Sequence, residues 1–124
     1  MQHRRVKMKS GDVELTVLLN DSMTADLIWD ALPLESSVST WGDEVYFTTL
    51  VQASEENAQD VVSIGDVAYW PPGQAICLFF GPTPNSSGDE IRPASPVNVV
   101  GSVDGDPTML KQVITGSKIE VDRA

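Results

Sequence analysis

The side chains that usually carry out chemistry are scarce in this sequence. One histidine, His3, and one cysteine, Cys77, are all that 124 residues offer. Zinc sites need clustered Cys and His at set spacings, and a single one of each cannot supply them. A serine or cysteine nucleophile needs a base within reach, usually histidine, and His3 lies in a charged N-terminal stretch. Cys77 has no basic neighbour to lower its pKa, and its apolar run Ala75-Ile76-Cys77-Leu78-Phe79-Phe80 reads as buried packing. Acidic pairs occur at Asp43/Glu44, Glu55/Glu56, Asp89/Glu90 and Asp104/Asp106, none in the twelve-residue calcium-loop pattern. Gly65, Gly73 and Gly81 are spaced as turn residues and do not form a phosphate-binding loop. The expectation is a chain with no metal, no cofactor and no covalent catalyst.

What the sequence concentrates instead is aromatic and proline-rich: Tyr69, Trp70, Pro71, Pro72, Phe79, Phe80, Pro82 and Pro84. Rings beside rigid loops form pockets for apolar ligands, extended peptides or another subunit, and the same rings also build the core of a small barrel. Trp70 precedes a Pro71-Pro72-Gly73 corner, Phe80 precedes Gly81-Pro82, and Trp41 precedes Gly42-Asp43, with Glu44 and Tyr46 just beyond. Placed at strand ends, these five residues (Trp41, Glu44, Tyr46, Trp70 and Phe80) are the expected ligand-binding set at one barrel mouth. No residue is assigned a catalytic role.

The elements that must position them are mostly strands. Val6 and Met8 alternate with basic residues, Ser10-Gly11-Asp12 is a turn, and Val13, Leu15, Val17 and Leu19 alternate again, which predicts a hairpin. Met23 to Leu32 predicts a short helix capped by Asp21 or Ser22, stopped by Pro33, with Met23, Leu27, Ile28 and Ala31 inward. Glu44 to Val51 reads as a strand, as do Val67 to Trp70, Ile76 to Phe80, Val97 to Val103 and Lys118 to Val121. Gly81 to Pro96 holds four prolines and reads as a long surface loop. Pro107 to Thr115 predicts a second short helix capped by Asp106, with Met109, Leu110 and Val113 buried. Many short strands with two small helices predict a mainly β, closed barrel spanning residues 1–124 as one domain.

Charge narrows the partners. The net charge is −10, and no Lys or Arg occurs from Ser10 through Ile91. Phosphate binding needs a dense basic patch, so nucleic acid and an anionic membrane surface are both disfavoured. No run approaches the length of a membrane span, and no targeting segment is read at the N-terminus, so a cytoplasmic location is expected. A homo-oligomer remains open.

Longer segments carry a resemblance. Trp41 to Phe47 (WGDEVYF), Gly65 to Gly73 (GDVAYWPPG), Leu78 to Pro84 (LFFGPTP) and Pro93 to Gly101 (PASPVNVVG), with Asn20-Asp21-Ser22 before the first helix, resemble a family of small prokaryotic cyclophilin-like proteins. The resemblance implies a cyclophilin barrel: closed, mainly antiparallel, with helices over its ends. Classical cyclophilins isomerise X-Pro bonds with an arginine in a Phe-x-Arg strand. The corresponding stretch, Trp41 to Val51, has no arginine, and only Arg92 or a terminal residue could replace it. The reading is therefore a non-catalytic binder of a small apolar ligand or extended peptide. A divergent prolyl isomerase using Arg92 is the alternative, and an oligomerisation or interaction module the third reading.

Overall fold

The computed structural model describes residues 4–124, so His3 lies outside the described residues. Alternation builds the first hairpin as expected. β1 (Arg4–Ser10) and β2 (Val13–Leu19) pair antiparallel from Arg4↔Leu19 to Ser10↔Val13, burying Val6, Met8, Val13, Leu15, Val17 and Leu19. The helix α1 (Met23–Ala31) follows, then β3 (Leu34–Ser37), β4 (Ser39–Thr40), β5 (Glu44–Thr48), β6 (Asp66–Trp70), β7 (Ala75–Phe79), β8 (Asn98–Asp104) and β9 (Lys118–Arg123).

The nine strands of the described residues form one antiparallel sheet in the order β3-β9-β1-β2-β8-β6-β7-β5-β4. Its two edge strands, β3 and β4, are consecutive in the chain and joined by Val38 alone. One residue thus brings opposite edges together, and the sheet curls into a nearly closed barrel. Val38 is buried; its N–H donates to Ser117 O at 2.9 Å and its carbonyl accepts from Gly116 N–H at 2.8 Å.

A bulge tightens the curl between β6 and β8. Val67 pairs with Gly101 while Ala68 pairs with Val99, leaving Val100 as the extra residue. Val100 turns inward, fully buried, and its carbonyl accepts from Asn20 N–H at 2.8 Å. Gly101 allows the close approach of β2, since a Cβ there would lie 2.2 Å from Leu18 O.

Two helical segments cover the barrel's ends. Ser22 caps α1, its Oγ accepting from Ala25 N–H at 3.1 Å. The inward face differs from the expected one: Thr24, Ala25 and Ile28 are buried, while Met23 and Leu27 are 74% and 45% exposed and Ala31 is also exposed. The reason lies outside the helix. Glu56 accepts from the N–H groups of Met23 and Thr24, both at 2.9 Å, and from the Thr24 hydroxyl at 2.7 Å. Buried Asn98 donates to Thr24 Oγ1 at 3.1 Å and Ser54 O at 2.9 Å, while accepting from Glu56 N–H at 2.9 Å. This network rolls Thr24 inward and Met23 outward.

At the other end the second expected helix is a 3-10 segment, Pro107–Gln112, shorter than the Pro107 to Thr115 span. Asp106 caps it through Thr108 N–H at 2.9 Å. Only Leu110 is buried; Met109 is 37% exposed and Val113 is half-buried. A 3-10 turn stacks residues three apart, so Leu110 and Val113 share the inward side and Met109 falls off it.

Candidate functional site

Residues directly opposite in an antiparallel ladder share one face of the sheet. On β5, β7 and β6 the inward set is Val45 and Phe47, Ile76 and Leu78, Val67 and Tyr69, all in the barrel core. The outward set is Glu44 and Tyr46, Ala75, Cys77 and Phe79, Ala68 and Trp70. Trp41 N–H donates to Glu44 O at 2.9 Å, which places Trp41 opposite Glu44 on that same outer face. Four of the five expected residues therefore share one surface. Phe80 does not: it follows Phe79, turns inward, and packs in the barrel core at 8% exposure.

The outer face has its own apolar cluster. Ala68, Ala75, Cys77 and Phe79 form its floor, and Ile91, Val97 and Val62 cover part of it. Tyr46 and Trp70 pack against it and remain half-buried. The covering residues come largely from the long loop after Phe80, which is knitted by its own side chains. Ser86 Oγ accepts from Thr83 N–H at 2.9 Å and Arg92 N–H at 3.1 Å, and the Thr83 hydroxyl donates to Arg92 O. Asp43 N–H donates to Pro82 O at 2.9 Å, fastening the loop to the hairpin that carries Trp41 and Glu44.

Trp70 is held from two sides. Its indole N–H donates to Ser95 Oγ at 2.6 Å, and a Cβ on Gly73 would come within 2.5 Å of its ring. The Pro71–Gly73 corner is a 3-10 turn that lays the chain across that ring.

Glu44 is the chemically unusual group on this face. It is buried at 6% exposure, diagonal to Cys77 across the β5–β7 ladder. Burial pushes its carboxyl up from 4.5 to about 7, and a hydrogen bond from the Cys77 thiol pulls the other way. Burial, then the Glu44 charge and hydrogen bond, hold the Cys77 thiol well above its ordinary value, so it is a poor nucleophile. A carboxyl near neutrality in an apolar bed can donate as well as accept a hydrogen bond.

Arg92 carries the only guanidinium between Ser10 and Lys111, and it is already engaged. Its Nε donates to Glu90 Oε2 at 2.6 Å and its Nη2 to Glu90 Oε1 at 3.3 Å. Hydrogen bonding to Glu90, followed by the Glu90 charge, raises its pKa further. Among the described residues no group of three or more His, Cys, Asp or Glu is arranged to hold a metal ion. None of their helices is long and apolar enough to cross a membrane.

The sequence reading did not find Ser95 as the partner of Trp70, nor Cys77 as the neighbour of Glu44. Both pairings join segments far apart in the chain. The strand alternation in β5 was the only available signal, since it already puts Glu44 and Tyr46 on one side.

A nearly closed antiparallel barrel with helical segments over both ends and a loop-framed outer face is the architecture of the cyclophilin class. The chain belongs to the cyclophilin-like family, whose model, described as Cyclophilin-like, matches residues 4–122. The solution structure of the hypothetical protein AF2241 from Archaeoglobus fulgidus is similar, with 47% sequence identity and a TM-score of 0.84. That similarity covers 98% of this chain and 95% of the archaeal one. A comparison with curated proteins finds no match.

Proposed function

We propose that this cyclophilin-like domain is a non-catalytic binder that takes a small apolar ligand, or an apolar side chain of an extended peptide, on its outer face. One observation carries the reading: Trp41, Tyr46 and Trp70 share a face with a carboxyl poised near neutrality. The rings supply rigid apolar contact, and protonated Glu44 supplies a donor for a ligand carbonyl. The pairing of Arg92 with Glu90 favours this reading over the alternative, a divergent prolyl isomerase using Arg92, since such chemistry rests on a positioned, available charge.

A proline-containing apolar tetrapeptide tests both statements in one sample. Binding is followed by two-dimensional NMR, and cis–trans exchange by line shape, against an uncatalysed rate of tens to hundreds of seconds. The expected result is shifts confined to residues around Trp41, Tyr46 and Trp70, with no faster exchange. Trp70→Ala should remove the shifts yet cost only about 1–2 kcal/mol, well below the roughly 3–5 kcal/mol of a buried core Trp. Unfolding of that variant would make Trp70 a core residue and sink the site. Accelerated exchange that Arg92→Ala abolishes would establish the isomerase instead.

A further inference from the structure

The network that turns Met23 outward leaves an apolar side chain in water beside a cavity. Met23 is 74% exposed, and the loop before β6 presents Ile64 at 62% and Val61 at 41%. Exposed apolar side chains bounded by polar groups mark interaction surfaces, and methionine adapts to many shapes. The cavity holds about 670 Å³, within the roughly 300–1,000 Å³ of ordinary ligand sites. Val61 lines it, and Met23 and Ile64 each follow a lining residue, Ser22 and Ser63.

Charge says what fits there. Asp21, Glu56 and Asp66 line the cavity, and no Lys, Arg or His does. None of the three belongs to an ion pair among the described residues. Both Glu56 oxygens are engaged at the start of α1, accepting from Met23 and Thr24. The Met23 N–H, then the Thr24 hydroxyl and N–H, hold that carboxyl below the usual range, so its charge persists. Asp66 accepts from Ser63 N–H at 2.9 Å through Oδ2 alone among the described residues, and Asp21 is exposed.

We propose that this cavity docks a basic segment of another protein, with an apolar side chain against Met23, Val61 and Ile64 and flanking lysines or arginines facing Asp21 and Asp66. The same carboxylates repel polyanions. An inorganic cation finds no group of three or more His, Cys, Asp or Glu arranged to hold it among the described residues. A small amine would meet the carboxylates and leave the apolar rim in water. A second copy of the chain carries a net charge of −10, and its Arg5 and Lys7 are already paired with Asp104 and Glu14. The cavity is independent of the outer-face reading, because Trp41, Tyr46 and Trp70 do not line it.

The probe is a fluorescein-labelled heptapeptide with leucine at its centre, two lysines on each side and a glycine at each end. Fluorescence anisotropy at low salt measures its affinity, and two-dimensional NMR locates it. Shifts should centre on Asp21 to Met23 and on Val61 to Asp66. Asp21→Asn combined with Asp66→Asn should weaken binding about fivefold, in line with two partly exposed ion pairs. Met23→Ser should weaken it by a similar factor, about fivefold, with the melting temperature unchanged. Asp21→Asn alone, read the same way, serves if Asp66→Asn loosens the Ser63–Asp66 turn. Asp12→Asn combined with Asp122→Asn makes the same change in net charge away from the cavity and should bind like the parent, as should Trp70→Ala. The proposal is overturned if the two double variants weaken binding equally, since net charge and not the cavity would then attract the peptide. A peptide with serine in place of leucine that binds as tightly also overturns it, because any amine would then do. So does self-association of the chain through Met23, which would make a second copy the occupant.

Discussion

Replacing Glu44 with glutamine is expected to stabilise the protein by about 3 kcal/mol at pH 8 and to change little at pH 4. The carboxyl titrates at about 7 in the folded chain against 4.5 as its ordinary value. Between those values the native state holds a proton that the unfolded chain has released. Stability contributed by protonated Glu44 is therefore complete below pH 4.5 and is lost as pH rises through about 7. A shift of about 2.5 units at roughly 1.4 kcal/mol each gives the figure. Glutamine keeps the shape and never ionises. Glu56, Glu90 and Asp106 are shifted downward and give the opposite slope, so the parent's own pH curve mixes both trends. The difference between parent and variant, from urea melts at the two pH values, isolates Glu44. An equal difference at both pH values would show that the carboxyl is not perturbed. The same titration reaches the proposed ligand site, where a carbonyl accepting from Glu44 should bind more weakly above pH 7.

Gly101→Ala is expected to cost more than about 3 kcal/mol, beyond the usual range for overpacking. A methyl group there meets Leu18 O at 2.2 Å, with Leu18 C at 3.0 Å and Leu19 Cα at 3.1 Å behind it. All three are main-chain atoms, so no rotamer change relieves the contact. β2 and β8 must separate along a ladder that runs from Thr16↔Asp104 to Leu19↔Gly101. A thermal melt measures the loss. The clearest contrary result is a variant that melts with the parent, since it would mean that β2 and β8 stand farther apart at Gly101.

How much was legible follows from where periodicity speaks. The first hairpin was legible, apart from Ser10, which was read as turn and ends β1, because basic and apolar side chains alternate without interruption from Arg5 to Lys9. The run Ala75 to Phe80 is apolar throughout, so it carries no signal about which side is in. Phe80 was expected at the rim and lies in the core, while Phe79 belongs to the outer cluster. The limits of α1 were nearly right because Ser22 and Pro33 are local signals. Its rotation was not, because Glu56 and Asn98 set it from distant loops. At the site, Glu44 and Tyr46 were placed together by alternation alone. The height of the Glu44 pKa depends on how the fold buries it, which no spacing rule conveys.

Val38 has a kinetic meaning as well. On its far side β4 pairs with β5 across a two-residue turn, among the cheapest closures a chain can make. On its near side β3 pairs with β9, joining Leu34 to Val121 across most of the sequence. Contacts so remote must wait until the intervening chain is ordered, and they make folding slow. One residue therefore links a hairpin closed by a two-residue turn to a strand pair that joins residues far apart in the chain. Closure of the barrel cannot precede arrival of the C-terminal strand, so during synthesis the hairpin on one side of Val38 can form while β3 on the other side stays unpaired until nearly the whole chain has emerged.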